Sequence, residues 1–458
     1  MYQMDFTKPC HIHFIGIGGI SMSGLAEVLL KEGFTVSGSD NQDSDIVKTL
    51  KAAGATVMIG QKAANITDDI DVVCYTAAIH KDNEEFKACE NKKLPMLTRA
   101  ELLGQMMKNY KEAICISGTH GKTTTTSMLS EILLAADTDP TISVGGILES
   151  IGGNIRAGGP DIFLTEACEY TNSFLSFFPT IAAILNIEED HLDFFKDIHD
   201  IRNSFHTFAK LINKDGLLVI NGDIDHVSEI TKGVSCRVLT FGTSDTCDYA
   251  AYNVEYDDLG SPSFDVYYKN ECLFSVHLSV GGDHNILNAL AAIAIARELK
   301  LSDTAITSGL LSFTGTKRRF EYKGKMGDVT VIDDYAHHPT EIKATLNRAT
   351  RYPHNDTWVV FQPHTFSRTK AFLPQFAEAL SLADHVVLAD IYAAREVDTG
   401  EISSRDILKL LLEKHIDAHY FPSFDEIENF LKKSCKQNDL LITMGAGNVV
   451  FIGEDLID

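Results

Sequence analysis

The sequence predicts an α/β protein of several domains, and three observations carry that prediction. The chain has 458 residues, more than one core usually holds at ~100–200 residues per domain. Apolar runs of strand length alternate with helix-like segments along most of it, the signature of parallel sheets wrapped by helices. Glycine turns follow several of those strands, at the edge where open α/β sheets gather ligands.

Three stretches repeat this pattern. The first opens with HIHFIGIGGISMSGLAEVLLKEG, continues through FTVSGSD, TVMIG and DVVCYTAAI, and fades after MLTRAELLGQMMKNY. The polar run Lys108 to Glu112 ends it, giving a first domain of residues 1–109. The second, 110–316, holds AICIS, DIFLTEA, TIAAILNI and GLLVINGD, then changes to the alternating strands RVLTFGT, YNVEYDD, SFDVYY and CLFSVHLSV. Those strands predict a small antiparallel sheet within the second domain. The third, 317–458, holds VTVIDDYAHHPTEIKATL, TWVVFQPHTFSR, HVVLADIYAAREVDTGE and DLLITMGAGNVV, each an apolar strand leading into a polar or glycine turn.

Composition excludes several function classes. A hydrophobic fraction of 44% with 23% charged residues is ordinary for a soluble protein. The formal net charge of −24 makes nucleic acid a poor partner, because phosphate backbones are bound by clustered Lys and Arg. No apolar run reaches the ~18 residues of a membrane span, and the first residues lack a signal-peptide pattern. A cytoplasmic protein with no membrane insertion is expected. The nine cysteines form no C-x-x-C pair, which argues against a zinc ribbon or disulfide framework.

Two glycine turns point to phosphate. Gly16, Gly18, Gly19, Ile20 and Ser21 follow the first strand and open a helix, where free N–H groups and a partial positive charge await an anion. Asp40 closes the next strand, about where a ribose-binding carboxylate falls in dinucleotide folds. Taken alone, this motif says NAD-dependent oxidoreductase. The second turn, Gly118-Thr119-His120-Gly121-Lys122-Thr123-Thr124, is a phosphate loop two residues short, since the usual first glycine position, 116, is Ile. Backbone N–H groups from Gly118 to Gly121 would cradle phosphates, Lys122 would reach the terminal ones, and Thr123 would hold Mg²⁺.

Further polar residues sit at strand ends. DIFLTEACEY places Glu166 where nucleotide enzymes put a metal-binding carboxylate, and NIEEDHLDFF adds His191 as a further ligand. Asn285 and Asn288 share one helix face, and Arg319 offers phosphate charge. Asp334, His337 and His338 precede Pro339 at a natural helix start. Each would be an ordinary cap or surface charge if it stood alone.

Together these motifs resemble the Mur ligase family, which uses the shortened Gly-x-x-Gly-Lys-Thr loop. The likeness runs through HFIGIGGISMSGLA, GTHGKTTTT, EACEY, NIEEDHLD, GDHNILNALAA, KRRFE, DDYAHHPTE, FQPHTFSR and MGAGN in order. It implies a Rossmann-like N-terminal domain for a UDP-sugar, a central P-loop ATPase domain and a Rossmann-like C-terminal domain that closes over ATP and the amino acid. It implies ATP and Mg²⁺ as cofactors, and ligation of L-alanine to the lactyl carboxylate of UDP-N-acetylmuramate through an acyl phosphate, in peptidoglycan precursor synthesis.

Carried over by residue, the resemblance makes Lys122, Glu166, His191, His364 and Arg368 catalytic and Thr123, Glu166 and His191 metal ligands. It places Asn285, Asn288, Arg319, Asp334, His337 and His338 at ATP, and Gly16, Gly18, Gly19, Ile20, Ser21 and Asp40 at the UDP-sugar. A monomer or homodimer is expected. Ser21, Cys168 and Arg395 depart from the family pattern, and Lys210 lies in the region where some relatives carry a carbamylated lysine. Within the family, a ligase that joins a recycled tripeptide to the same sugar nucleotide is the alternative. An NAD-dependent oxidoreductase leaves the phosphate loop unexplained, and a nucleotide-binding switch would need no acceptor domain.

Overall fold

The computed structural model describes residues 2–457. It contains three sheets, each wrapped by helices. The N-terminal sheet joins β1 (His11–Ile15), β2 (Thr35–Asp40), β3 (Thr56–Ile59), β4 (Val72–Tyr75) and β5 (Met96–Thr98) in the order 3-2-1-4-5, all parallel. Ile15 of β1 is in register with Ser39 on one side and Tyr75 on the other. Strand order therefore reverses beside β1, and a crevice opens at its carboxyl end. Helix Ile20–Lys31 starts there and buries Met22, Leu25, Ala26, Val28 and Leu29.

The central sheet contains β6 (Glu112–Ser117), β7 (Thr141–Leu148), β8 (Gly153–Arg156), β9 (Ile162–Ala167), β10 (Ile181–Ile184), β11 (Leu217–Asn221), β12 (Arg237–Gly242), β13 (Tyr249–Tyr256), β14 (Pro262–Tyr268) and β15 (Glu271–His277). Their order is 15-14-13-12-11-10-6-9-7-8. Strand β6 lies between β10 and β9, parallel to both, so the loop that follows it emerges at the middle of the sheet. Of the four strands expected to be antiparallel, RVLTFGT is β12 and runs parallel to β11 and β13, while β13 to β15 pair antiparallel and extend this sheet instead of standing apart from it. The junction is the pairing of Phe241 with Tyr249 and of Gly242 with Ala250. Helix Asp283–Glu298 is apolar nearly all round and buried from Ala289 to Ala296, as a helix enclosed on every side must be.

The C-terminal sheet joins β16 (Glu321–Met326), β17 (Val329–Asp334), β18 (Thr357–Phe361), β19 (His385–Leu388), β20 (Asp417–Tyr420) and β21 (Leu440–Met444) in the order 16-17-21-18-19-20. Only β16 runs antiparallel.

Packing divides the molecule unequally. One apolar cluster holds Phe14 and Leu103 beside Phe163, Phe174, Phe205 and Phe208, so the first two domains share a core. Phe174 stacks on Phe208 at 4.5 Å, and truncating such a buried ring to Ala costs about 3–5 kcal/mol. The C-terminal domain has separate clusters around Phe361 and Val360. Polar contacts join it to the rest, including Thr340 to Glu188 at 2.6 Å and Arg351 to Asp283 at 2.6 Å. Polar seams of this kind leave a domain free to move.

Candidate active site

Strand β6 ends in the phosphate loop. Gly118 and Gly121 take φ values of +143° and +83°, left-handed geometry that glycine adopts without strain. Gly121 precedes helix Lys122–Ala135, and a Cβ there would lie 2.6 Å from the Asn288 Oδ1. Asn288 is itself fixed, its Nδ2 donating to Asn285 Oδ1 at 2.9 Å while Asn285 Nδ2 donates to the Gly281 carbonyl at 2.7 Å. The loop backbone is pinned where the His120 N–H donates to Asn186 Oδ1 at 2.7 Å.

Lys122 folds over its own loop. Its Nζ donates to the carbonyls of Gly118 and Thr119 at 2.5 and 3.1 Å and to Glu169 Oε2 at 3.0 Å. Burial pushes its pKa down, but the Glu169 carboxylate outweighs burial and the ammonium stays charged. Sequence reading missed Glu169. It stands just past β9, and only tertiary structure brings it to the lysine.

The expected metal ligands make two sets of contacts. Glu166 accepts the Gly145 N–H at 2.5 Å and the Thr123 hydroxyl, and burial raises its pKa. His191 turns instead to Glu169 and Asp190, with Nε2 at 3.9 Å from Glu169 Oε1 and 3.8 Å from Asp190 Oδ2. Burial lowers the His191 pKa, and its ring lies against Tyr170 at 4.4 Å. Glu169 Oε1 is buried and accepts no hydrogen bond from the described residues. A buried, unmatched carboxylate oxygen facing an uncharged imidazole suits a divalent cation, so these residues fit the implied Mg²⁺.

His120, Glu188 and His338 also bring ligand atoms within 4.8 Å of one another. They form an ion-pair network rather than a metal centre. His338 has both nitrogens engaged, Nδ1 accepting from the Thr340 N–H and Nε2 donating to the Glu189 carbonyl. Burial disfavours charge on His120, but Glu188 and Glu341 outweigh it and raise the pKa to about 9.

Three cavities surround these groups. The first, of about 470 Å³, is lined by His120, Gly121, Thr124, Asn285, Asn288, Arg319 and Asp334. Most of the residues expected at ATP therefore meet there. Asp334 accepts the N–H groups of Phe320 and Ala336, each at 2.8 Å, and burial pushes its pKa up to about 6. Gly118, Thr119, Lys122, Thr123, His337 and His338 do not line this cavity, and the two histidines diverge at His337. It follows an extended chain whose neighbouring side chains point opposite ways, and it faces the second cavity while His338 faces His120.

The second cavity, of about 420 Å³, is lined by Asp190, His191, His337, His364, Arg368 and Arg395 among others. Arg368 donates to Asp190 Oδ1 from Nε at 3.1 Å and Nη2 at 2.8 Å, and its Nη1 lies 3.1 Å from His364 Nδ1. Guanidinium only donates, so Nδ1 accepts and the His364 proton sits on Nε2. Burial, helped by Arg368 and Arg395, lowers the His364 pKa to about 4. His364 is therefore a neutral donor near pH 7.

The third cavity, of about 580 Å³, lies at the end of β1 and includes Gly16, Gly19 and Asp40. Asp40 Oδ2 accepts the Gly18 N–H at 2.9 Å, and a Cβ on Gly18 would meet that oxygen at 2.8 Å. Helix residues Ile20 and Ser21 follow, with amides that have no intrahelical acceptor. The Ser21 hydroxyl accepts from Arg99 Nη1 at 3.0 Å. Lys210 is exposed at the end of helix Ile198–Ala209 and lines none of these cavities.

Comparison with known proteins agrees with this arrangement along the whole chain. The Mur ligase family catalytic domain matches residues 11–111, the Mur ligase middle domain 116–296 and the Mur ligase glutamate ligase domain 318–447. The UDP-N-acetylmuramate--L-alanine ligase of Agathobacter rectalis is 61% identical over 457 residues, covering 100% of both chains. That of Lachnoclostridium phytofermentans is 57% identical over 467 residues, again covering 100% of both. Among solved structures, the UDP-N-acetylmuramate-alanine ligase of Thermotoga maritima superposes with a TM-score of 0.78 at 28% identity, covering 97% of this chain and 98% of that one. A murein peptide ligase from Psychrobacter arcticus gives 0.69 at 26%, covering 98% of each. With consecutive family models on all three sheets and full-length identity above one half, the chain belongs to the Mur ligase family.

Proposed function

We propose that this enzyme joins L-alanine to the lactyl carboxylate of UDP-N-acetylmuramate at the expense of ATP, giving ADP and phosphate, as a cytoplasmic step of peptidoglycan precursor synthesis. The observation that carries the reading is 61% identity, end to end, with an enzyme named for that reaction. The geometry supports it, because the chain Lys122–Glu169–His191 links the phosphate loop to the second cavity. The tripeptide acceptor is disfavoured because the relatives that share more than half their residues with this chain from end to end are named for L-alanine.

The UDP group enters the third cavity, where the turn fixed by Asp40 and the start of helix Ile20–Lys31 meet its pyrophosphate. ATP occupies the first cavity, with Asn285, Asn288 and Asp334 on its nucleoside side. Lys122 and Arg319 bind its phosphates and offset their repulsion with the incoming carboxylate. A carboxylate oxygen of the sugar attacks the γ-phosphorus and ADP leaves, giving an acyl phosphate. The amine of alanine attacks the acyl carbon from the second cavity, phosphate departs and the amide remains. Mg²⁺ would be held by Glu169 and His191, with Thr123 and Glu166 as a second donor pair, and would supply charge neutralisation between the two anions.

Phosphate release with ATP and UDP-N-acetylmuramate, tested against amino acids and the recycled tripeptide, examines this reading. L-alanine should give the highest kcat/KM. Preference for the tripeptide would replace it with the recycling reaction.

A further inference from the structure

We propose that Arg395 receives the carboxylate of the incoming amino acid, so that the acceptor must carry a free α-carboxylate. The inference rests on the ligase reading above.

The second cavity is lined by three permanent cations, Arg368, Lys370 and Arg395. Arg368 is neutralised by Asp190, and its remaining Nη1 donates to His364. Lys370 is paired with Glu401 at 2.6 Å. Arg395 alone makes no hydrogen bond or ion pair among the described residues; its guanidinium lies 4.6 Å from the centre of the Tyr170 ring. A guanidinium laid against an aromatic face keeps its in-plane N–H groups available, in the fork that matches a carboxylate.

The neighbouring acids are hydrogen-bonded elsewhere. Glu396 accepts from the Ser367 amide at 2.9 Å and from its hydroxyl. Asp193 accepts from the Tyr170 hydroxyl at 2.9 Å. His364 is neutral and presents Nε2–H, a second donor to the same space.

The backbone holds Arg395 in place. Ala394 has φ +51°, a left-handed conformation that a residue with a Cβ rarely adopts. The loop before it is anchored at Tyr392, whose N–H donates to the Pro363 carbonyl at 2.8 Å and whose carbonyl accepts the Thr365 N–H at 2.9 Å. Tyr170 lies within ring contact of both His191 and Arg395, so one cavity runs from the reactive end to the free cation. An amino acid whose amine points toward His191 and the phosphate loop directs its carboxylate to Arg395.

The test compares L-alanine with L-alaninamide in the full-length enzyme and in Arg395→Gln and Arg395→Lys, with hydroxylamine trapping of the acyl phosphate in the absence of amino acid. Charge-assisted hydrogen bonds of this kind imply a rise in KM for L-alanine on the order of tenfold to a hundredfold in Arg395→Gln. KM for ATP and for UDP-N-acetylmuramate should hold, hydroxamate should still form, and Arg395→Lys should recover part of the loss. L-alaninamide should be used equally poorly by wild type and Arg395→Gln. A KM for L-alanine within twofold of wild type, or an equal loss with the amide, overturns the assignment to Arg395. Failure of wild type to ligate L-alanine at all instead overturns the ligase reading beneath it.

Discussion

Arg368 of the C-terminal domain and Asp190 of the central domain form a buried ion pair, with Nη2 2.8 Å from Oδ1 and side chains only 9% and 8% exposed. Burial pushes the Asp190 carboxyl up, but Arg368 and His191 outweigh it and hold the pKa well below the usual carboxylate range. Removing one partner of such a pair leaves a buried charge uncompensated, at about 3–5 kcal/mol. Because the C-terminal domain has its own core, Asp190→Ala should undock that domain without unfolding it. Small-angle scattering should give a larger radius of gyration, and an unchanged one would show that the pair does not hold the domains together.

Much of this architecture is legible in the sequence, and what is not has physical reasons. The phosphate loop is readable because only glycine fits the left-handed turns at 118 and 121. Glu169 is not. It follows β9, where Thr171 and Asn172 also turn left-handed, and it reaches Lys122 through a fold-back that no local spacing encodes. His337 and His338 read as one pair, yet an extended backbone turns His337 to the second cavity and His338 against His120. The strands from β13 to β15 show their antiparallel pattern clearly, whereas their joining to β12 depends on an edge that only the assembled sheet provides.

Lys122→Ala should lower turnover roughly a hundredfold or more, the scale of losing one preorganised contact to transferring charge. UDP-N-acetylmuramate binding, measured by calorimetry without ATP, should be unchanged, because the third cavity is separate. Unimpaired turnover would remove Lys122 from the reaction.

The two acids near the phosphate loop should separate by metal dependence. Glu169→Gln takes charge from the unmatched oxygen beside His191, so the apparent Mg²⁺ requirement should rise about tenfold or more, with partial rescue by Mn²⁺. Glu166→Gln keeps an acceptor for Gly145 and Thr123 and should raise the requirement less. Rate against Mg²⁺ concentration, recorded beside a melting curve, decides this. An unaltered metal profile in Glu169→Gln would exclude it as a ligand.

Neighbouring histidines should titrate in opposite senses. His120, raised from 6.5 to about 9 by Glu188 and Glu341 against burial, contributes stability fully present below pH 6.5 and lost as pH rises through about 9. Burial lowers His337 and His364 to about 4. Their contribution is lost as pH falls from 6.5 toward 4, since the unfolded chain binds protons that the folded one refuses. Histidine NMR should find His120 charged at pH 8 while His337 and His364 are neutral at pH 6. Three ordinary titrations near 6.5 would contradict the network.

Activation of the sugar carboxylate by ATP is the centre of the account, and isotope transfer tests it most directly. UDP-N-acetylmuramate labelled with ¹⁸O in its lactyl carboxylate is turned over with ATP and L-alanine, and the released phosphate is analysed by mass spectrometry. One labelled oxygen should move from carboxylate to phosphate in each turnover, because the carbon–oxygen bond of the acyl phosphate breaks when the amine attacks. Phosphate released without label, while UDP-N-acetylmuramoyl-L-alanine accumulates, would contradict it.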